Sequence, residues 1–126
     1  MQLKKYADTD FFLALMKESD WLKEKAKKIY QGNIGNIWVT PFTIVEVMVI
    51  CKREGISIKE TLVQISRIAK LDTIAWDVFF NACDHINKGA TIFDSLLMSF
   101  CGENIIISSD KIYKKFGCKI INLNKD

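Results

Sequence analysis

The sequence predicts an α/β layered fold with a mostly parallel sheet. Three observations lead there. Short strand-like runs alternate with helical stretches along the whole chain, the pattern of a parallel sheet covered by helices. Ile105-Ile106-Ile107 is a continuous apolar run, which suits a strand buried on both faces. Near the start, Leu3 to Ala7 reads as a short strand that runs directly into Asp8-Thr9-Asp10 and an apolar helix. Acids then stand at the carboxyl end of a strand, the edge where open α/β sheets bind ligands.

Each element has a local reason. Phe11 to Lys17 reads as a short apolar helix, with Asp8 or Asp10 able to cap its free N–H groups. Ser19 or Asp20 is placed to cap a second helix, Trp21 to Tyr30, whose apolar stripe is Leu22, Ala26 and Ile29. Lys23, Lys25, Lys27 and Lys28 occupy the rest of that helix, and Gly32 and Gly35 follow it. Ile37-Trp38-Val39 reads as a strand. Thr40-Pro41 is a helix start, with Thr40 as N-cap and Pro41 at the first helical position; this helix runs to about Arg53 and stops at Gly55. Ser57-Ile58-Lys59-Glu60 matches a capping box, opening a helix to about Lys70 with Ile58, Leu62, Ile65 and Ala69 at helical spacing. Leu71 to Thr73 is an extended link or one short strand. Ile74 to Asn87 is helical up to Gly89, and Thr91 opens another helix that ends at Cys101 and Gly102. After the Ile105–Ile107 strand, Lys111 to Phe116 makes one or two helical turns, and Cys118 to Leu123 is the final strand.

Composition narrows the class. The chain has 126 residues, 49% of them hydrophobic, which fits one domain spanning residues 1–126 and argues against disorder. Its 18 Lys and Arg against 15 Asp and Glu leave +3, a mild charge that permits a polyanionic partner without demanding one. No apolar segment follows Met1-Gln2-Leu3-Lys4-Lys5, so no secretory signal is expected. The most apolar run, Ile44 to Cys51, is broken by Glu46 and too short to span a bilayer, so no membrane partner is expected. Cys51, Cys83, Cys101 and Cys118 form no C-x-x-C pair, and His85 is the single histidine. The expectation is plain buried thiols in a reducing cytoplasm rather than zinc ligands or a disulfide framework.

The acids carry the chemistry. Asp8 and Asp10 have an ordinary explanation as helix caps. Glu46 sits in a helix that is apolar nearly all round, with Phe42, Thr43, Val49 and Ile50 at neighbouring helical positions. Such a helix is expected to be buried, and a buried carboxylate without a partner is costly. Asp94 completes a capping box from Thr91, yet shares a helical face with Leu97, Met98 and Cys101, which points it toward the core. Asp110 follows an apolar strand, as Asp8 does, and has the same N-cap alternative. Clustered carboxylates repel unless a cation joins them, and a hard divalent ion such as Mg²⁺ or Mn²⁺ takes oxygen ligands and activates water at a phosphoryl centre. Lys111, Lys114 and Lys115 follow Asp110 and would serve phosphate binding, while Lys23 and Lys27 read as an ordinary solvated face.

Taken with their surroundings, these acids resemble the PIN-domain nucleases, and most closely the small stand-alone members typified by VapC-type toxins. The likeness is carried by Tyr6-Ala7-Asp8-Thr9-Asp10, by Thr40-Pro41 to Glu46-Val47, by Ala90 to Asp94-Ser95-Leu96, and by Ile106-Ile107-Ser108-Ser109-Asp110. It implies a PIN-like three-layer sandwich with a twisted, mostly parallel sheet of about five short strands flanked by helices. It implies a metal-dependent ribonuclease in which Asp8, Glu46, Asp94 and Asp110 hold one or two Mg²⁺ or Mn²⁺ ions, with Thr9, Asp10, Ser109 and Lys111 as substrate contacts. It further implies RNA as substrate, a homodimer, and a small cognate antitoxin as partner. Asp10 falls where the family commonly has Asn, so it adds charge to the site or caps the helix.

Two other readings stand beside this one. Asp8-Thr9-Asp10 looks like the aspartyl-phosphate motif of haloacid-dehalogenase-like phosphatases, but that family wants Thr or Val where Phe12 stands, and it gives Glu46 no role. In a non-catalytic RNA- or protein-binding module the acids would be only caps and ion pairs.

Overall fold

The computed structural model of the chain describes residues 2–17 and 20–124. Among the described residues there are five strands and seven helices, in the order β1 (Lys5–Ala7), α1 (Thr9–Met16), α2 (Lys23–Gln31), β2 (Ile37–Val39), α3 (Pro41–Glu54), α4 (Ile58–Ile68), β3 (Lys70–Leu71), α5 (Trp76–Asn87), α6 (Ile92–Cys101), β4 (Ile105–Ser108), α7 (Ile112–Lys115) and β5 (Lys119–Asn122). The strands form one sheet in the order β3-β2-β1-β4-β5, and every pairing is parallel. β1 is therefore central, with Tyr6 opposite Trp38 on one side and Ile106 on the other.

Side-chain alternation along the strands divides the core into two faces. Ala7, Ile37, Val39 and Ile107 pack with Phe11, Phe12, Ala26, Val47 and Cys51 under α1 to α4. Tyr6 and Ile106, one residue away in each strand, pack with Leu97, Met98, Cys101 and Tyr113 under α6 and α7. This is the expected three-layer sandwich.

Helix starts follow the expected chemistry. Thr40 Oγ1 accepts from the Thr43 N–H at 3.1 Å, with Pro41 at the first helical position of α3. Ser57 and Thr91 cap α4 and α6 by accepting from the Glu60 and Asp94 N–H groups. Gly55 ends α3 at φ 72°, the left-handed geometry that favours glycine.

Several expectations need correction. Helix α4 stops at Ile68, and Lys70 joins Leu71 in the edge strand β3. Helix α5 starts at Trp76 rather than Ile74. Helix α2 starts at Lys23; Asp20 accepts from the Leu22 N–H, and Ser19 lies outside the described residues. Helix α3 is not buried all round: it buries Thr43, Val47 and Cys51 and exposes Val45, Met48 and Val49. All four cysteines are free, as expected, but only Cys51 and Cys101 are buried: Cys83 is exposed and Cys118 half-buried. Among the described residues, no helix is long and apolar enough to cross a membrane.

The parallel centre should dominate stability. Ile107 is 0% exposed at the end of β4, whereas Leu71 on the edge strand is 63% exposed. Ile107→Ala is expected to cost about 2–5 kcal/mol, and Leu71→Ala less than about 0.5 kcal/mol. Urea unfolding of both variants measures the contrast.

Candidate active site

Parallel pairing of β1 with β4 puts their carboxyl ends side by side, so Asp8 and Ser108 to Asp110 leave the sheet together. The Asp8 N–H extends that ladder by donating to the Ile107 carbonyl at 2.9 Å. Above this edge lies an open pocket of about 380 Å³ lined by Asp8, Thr9, Asp10, Leu13, Glu46, Ile50, Asp94, Ser109 and Asp110. The five carboxylates come from α1 and its cap, α3, α6 and the β4–α7 turn.

Each acid has a defined holder. Asp8 is the N-cap of α1: its Oδ1 accepts from the Thr9 N–H at 2.8 Å. Its Oδ2 accepts from the Ser108 hydroxyl at 3.0 Å and the Tyr113 hydroxyl at 2.9 Å. The Tyr113 hydroxyl also stands 3.0 Å from Asp94 Oδ1, so one phenol bridges two acids brought together from distant parts of the chain. A phenol has one proton, so it donates to one of these carboxylates at a time. Thr9 donates its hydroxyl to Glu46 Oε1. Asp10 Oδ2 accepts from the Ser109 N–H at 2.9 Å and from the Ser109 hydroxyl. Asp10 Oδ1 is buried without a hydrogen-bond partner. Asp110 Oδ1 accepts from the Ile112 N–H at 3.0 Å, and the Asp110 N–H donates to Ser108 Oγ at 3.0 Å.

The electrostatics are unbalanced. Burial, and then the nearby charge of Asp10, push the Asp8 carboxyl up from 3.8 to about 7. Burial raises Asp10 as well, against the lowering effect of its bonds from Ser109. Burial and the charges of Asp8 and Asp94 raise the Tyr113 phenol, which therefore stays protonated. The five ion pairs among the described residues all lie elsewhere, and none uses a carboxylate of this pocket.

These features suit a hard divalent cation. The donors are all oxygen, the negative charge is unanswered by lysine or arginine, and one buried carboxylate oxygen lacks any partner. Among the described residues, no three His, Cys, Asp or Glu side chains stand at the mutual spacing of ligands around a single ion. That spacing and the pocket lining point in different directions. The lining carries more weight, because Mg²⁺ binds directly to only one or two carboxylates and reaches the others through its retained waters.

The family model of the PIN domain matches residues 5–117, nearly the whole chain. The chain belongs to the PIN domain family. Solved PIN-like structures overlay it closely: a toxin-antitoxin complex from Klebsiella pneumoniae at TM-score 0.78 and 13% identity, covering 98% of this chain and 100% of that one. VapC20 of Mycobacterium tuberculosis, described as a sarcin-ricin loop cleaving toxin, follows at TM-score 0.67 and 14% identity, covering 98% and 92%. VapBC2 of Rickettsia felis, bound to a fragment of its promoter DNA, gives TM-score 0.68 and 12% identity, covering 95% and 98%. At such identities the likeness concerns the fold. No curated protein sequence gives a significant match.

All five acids singled out from the sequence of this PIN domain line one pocket, together with Thr9 and Ser109. Asp94 is a correction in detail: it is half-buried on the first turn of α6, lining the pocket, rather than aimed into the core. Thr9 and Ser109 spend their hydroxyls on Glu46 and Asp10 and so position acids. Asp10 does not cap α1, because Asp8 does. Its engagement with Ser109 also leaves it ill-placed as the free acid of a phosphatase. Lys111 lines the adjoining cavity rather than this one. Sequence reasoning missed Tyr113 and Ser108. A tyrosine one turn after Asp110 reads as an ordinary core aromatic, which it also is.

Because Asp8 has a folded pKa above its unfolded value, its contribution is fully stabilising below about pH 4. That contribution is lost as pH rises toward 7, up to a ceiling of about 4 kcal/mol. In chelator-treated protein, Asp8→Asn is therefore expected to raise Tm at pH 7, with the gain vanishing near pH 4. Thermal melts of both proteins across that range give the answer.

Proposed function

We propose that this PIN domain is a metal-dependent ribonuclease that hydrolyses RNA phosphodiester bonds, acting as the toxin of a toxin-antitoxin pair. One observation carries the reading: five carboxylates from four segments share a pocket in which no ion pair offsets them among the described residues. Asp8, Glu46, Asp94 and Asp110 are the residues to hold one or two Mg²⁺ or Mn²⁺ ions, which when bound supply an acidified water and neutralise charge on phosphoryl oxygens. Tyr113 and Ser108 occupy Asp8 Oδ2, so Oδ1 keeps the lone pair not used by Thr9. Asp94 Oδ2 and Asp110 Oδ2 accept no hydrogen bond among the described residues. Thr9 orients Glu46, and Ser109 orients Asp10, so the ring of acids is set before any ligand arrives.

The toxin role is supported by the folds of the Klebsiella, Mycobacterium and Rickettsia proteins and by exposed apolar surface that suits protein partners, here a second copy and a small antitoxin. Trp76 is 77% exposed and Phe80 69%, and their rings sit 6.3 Å apart on α5. Val49 on α3 is 58% exposed.

RNA cleavage is expected with Mg²⁺ or Mn²⁺ and to stop on chelation, with Asp8→Asn and Asp94→Asn each slowing it by at least about a hundredfold. Asn variants as fast as the parent would falsify the assignment. Tyr113→Phe is expected to weaken Mn²⁺ binding by about 10–100-fold, since groups that orient ligands carry effects of that size. Calorimetric Mn²⁺ titration reads it directly.

A further inference from the structure

A second cavity, of about 350 Å³, adjoins the acid pocket and shares Ser109 and Asp110 with it. Its other walls are Lys111, Lys114, Lys115, Ile120 and Asn122. Three properties distinguish it from an ordinary solvated face.

The first is charge. None of the three lysines forms an ion pair among the described residues. Lys111 directly follows Asp110, yet the Asp110 Oδ1 is occupied by the Ile112 N–H. Unpaired cations thus stand immediately beside unpaired acids. By contrast, Lys27 of the basic helix α2 pairs with Glu24 at 3.7 Å, and Lys23 donates to the Lys17 carbonyl at 3.1 Å.

The second is shape. The cavity lies at the small end of ligand sites, too small for a helix and suited to one nucleotide. Ile120 and the aliphatic stems of the lysines give it an apolar wall for the face of a base. It is also braced: the Leu123 N–H donates to the Ser108 carbonyl at 3.0 Å, and Asn124 Nδ2 donates to the Ser109 carbonyl at 2.9 Å.

The third is polarity. Asn122 Oδ1 accepts from the Asn124 N–H at 2.8 Å, while its Nδ2 makes no hydrogen bond among the described residues. The amide orientation is thereby set, and Asn122 presents both Nδ2 donors, with one lone pair of its Oδ1 already used.

We propose that this cavity is a nucleotide subsite for single-stranded RNA, seating the nucleotide next to the phosphate held at the acids. Lys111, Lys114 and Lys115 hold the phosphate of that nucleotide. Its base lies on Ile120 and meets Asn122 with an acceptor-bearing edge. The subsite sets which base stands beside the cut. This rests on the ribonuclease reading and adds to it where specificity resides.

The test uses two paired measurements on the full chain. Binding of a fluorescein-labelled RNA hexamer of mixed sequence is followed by anisotropy in EDTA, where nothing is cut. Base frequencies beside the cut are read by sequencing a randomised RNA after digestion with Mn²⁺. Lys114→Glu with Lys115→Glu is expected to weaken binding about tenfold or more, whereas the charge-matched control Lys25→Glu with Lys28→Glu weakens it less than about threefold. Asn122→Ala is expected to flatten the base preference at one position beside the cut, with an unchanged Tm. Equal weakening by the two double variants, or a base profile untouched by Asn122→Ala, overturns the subsite while leaving the nuclease standing. A parent protein that neither binds nor cuts any RNA overturns both.

Discussion

The shared direction of β1 and β4 is the constraint on which the site depends. Parallel neighbours end at the same edge, so the chain must leave both strands at one place. Both exits lead at once toward helices, and helix starts leave N–H groups that need acceptors. Asp8 and Asp110 meet that need with one carboxylate oxygen each, at the Thr9 and Ile112 N–H groups. Capping and chemistry are therefore not alternatives here. The cap fixes each carboxyl group through Oδ1; Asp110 then keeps Oδ2 unbonded among the described residues, whereas Asp8, with Ser108 and Tyr113 on its Oδ2, keeps one lone pair on Oδ1. Asp94 reaches a related result by another route, since its backbone N–H is capped by Thr91 and its carboxylate is left free to meet Tyr113.

Tyr113 ties the third segment to the first two. It is buried, so its apolar ring contributes to one core face while its hydroxyl reaches Asp8 and Asp94. Phenol, serine hydroxyl and helix N–H together give Asp8 three donors and no cation. Hydrogen bonds lower the cost of a buried carboxylate without removing its desolvation or the nearby charge of Asp10, which is why Asp8 still rises to about 7. The site is thus held in a high-energy electrostatic arrangement by packing on both faces of the sheet.

Much of this was legible in the sequence, for identifiable reasons. Local punctuation located the helices: Thr40-Pro41, the Ser57 and Thr91 caps and Gly55 all operate as their residue types demand. The apolar Ile105–Ile107 run marked β4, and the spacing of acids at element boundaries marked the pocket. The failures share a cause, which is that tertiary placement leaves no local trace. Strand β3 is two exposed residues, too short and too polar for an alternation signal. Helix α3 is apolar on faces that the fold leaves open, so hydrophobicity overstated the burial of Glu46. Tyr113 lies 105 residues from Asp8, and nothing in its neighbourhood separates a bridging phenol from a packed ring.

The distribution of unpaired charge supplies the last constraint. Acids fill one side of the Ser109–Asp110 ridge and lysines the other, and the two sets do not neutralise each other. Small rotations of exposed lysines would ordinarily suffice to form surface pairs, but such pairs are worth only about 0–1 kcal/mol and are easily forgone. A free cation would answer the acids and leave the lysines unmatched. A free polyanion would answer the lysines and be repelled by the acids. A phosphate chain carrying a divalent ion would satisfy both sides together: the carboxylates would hold the ion, and the lysines would answer a neighbouring phosphate. The surface matches that combination better than either component alone, which is the strongest physical reason for reading the two cavities as one continuous binding track.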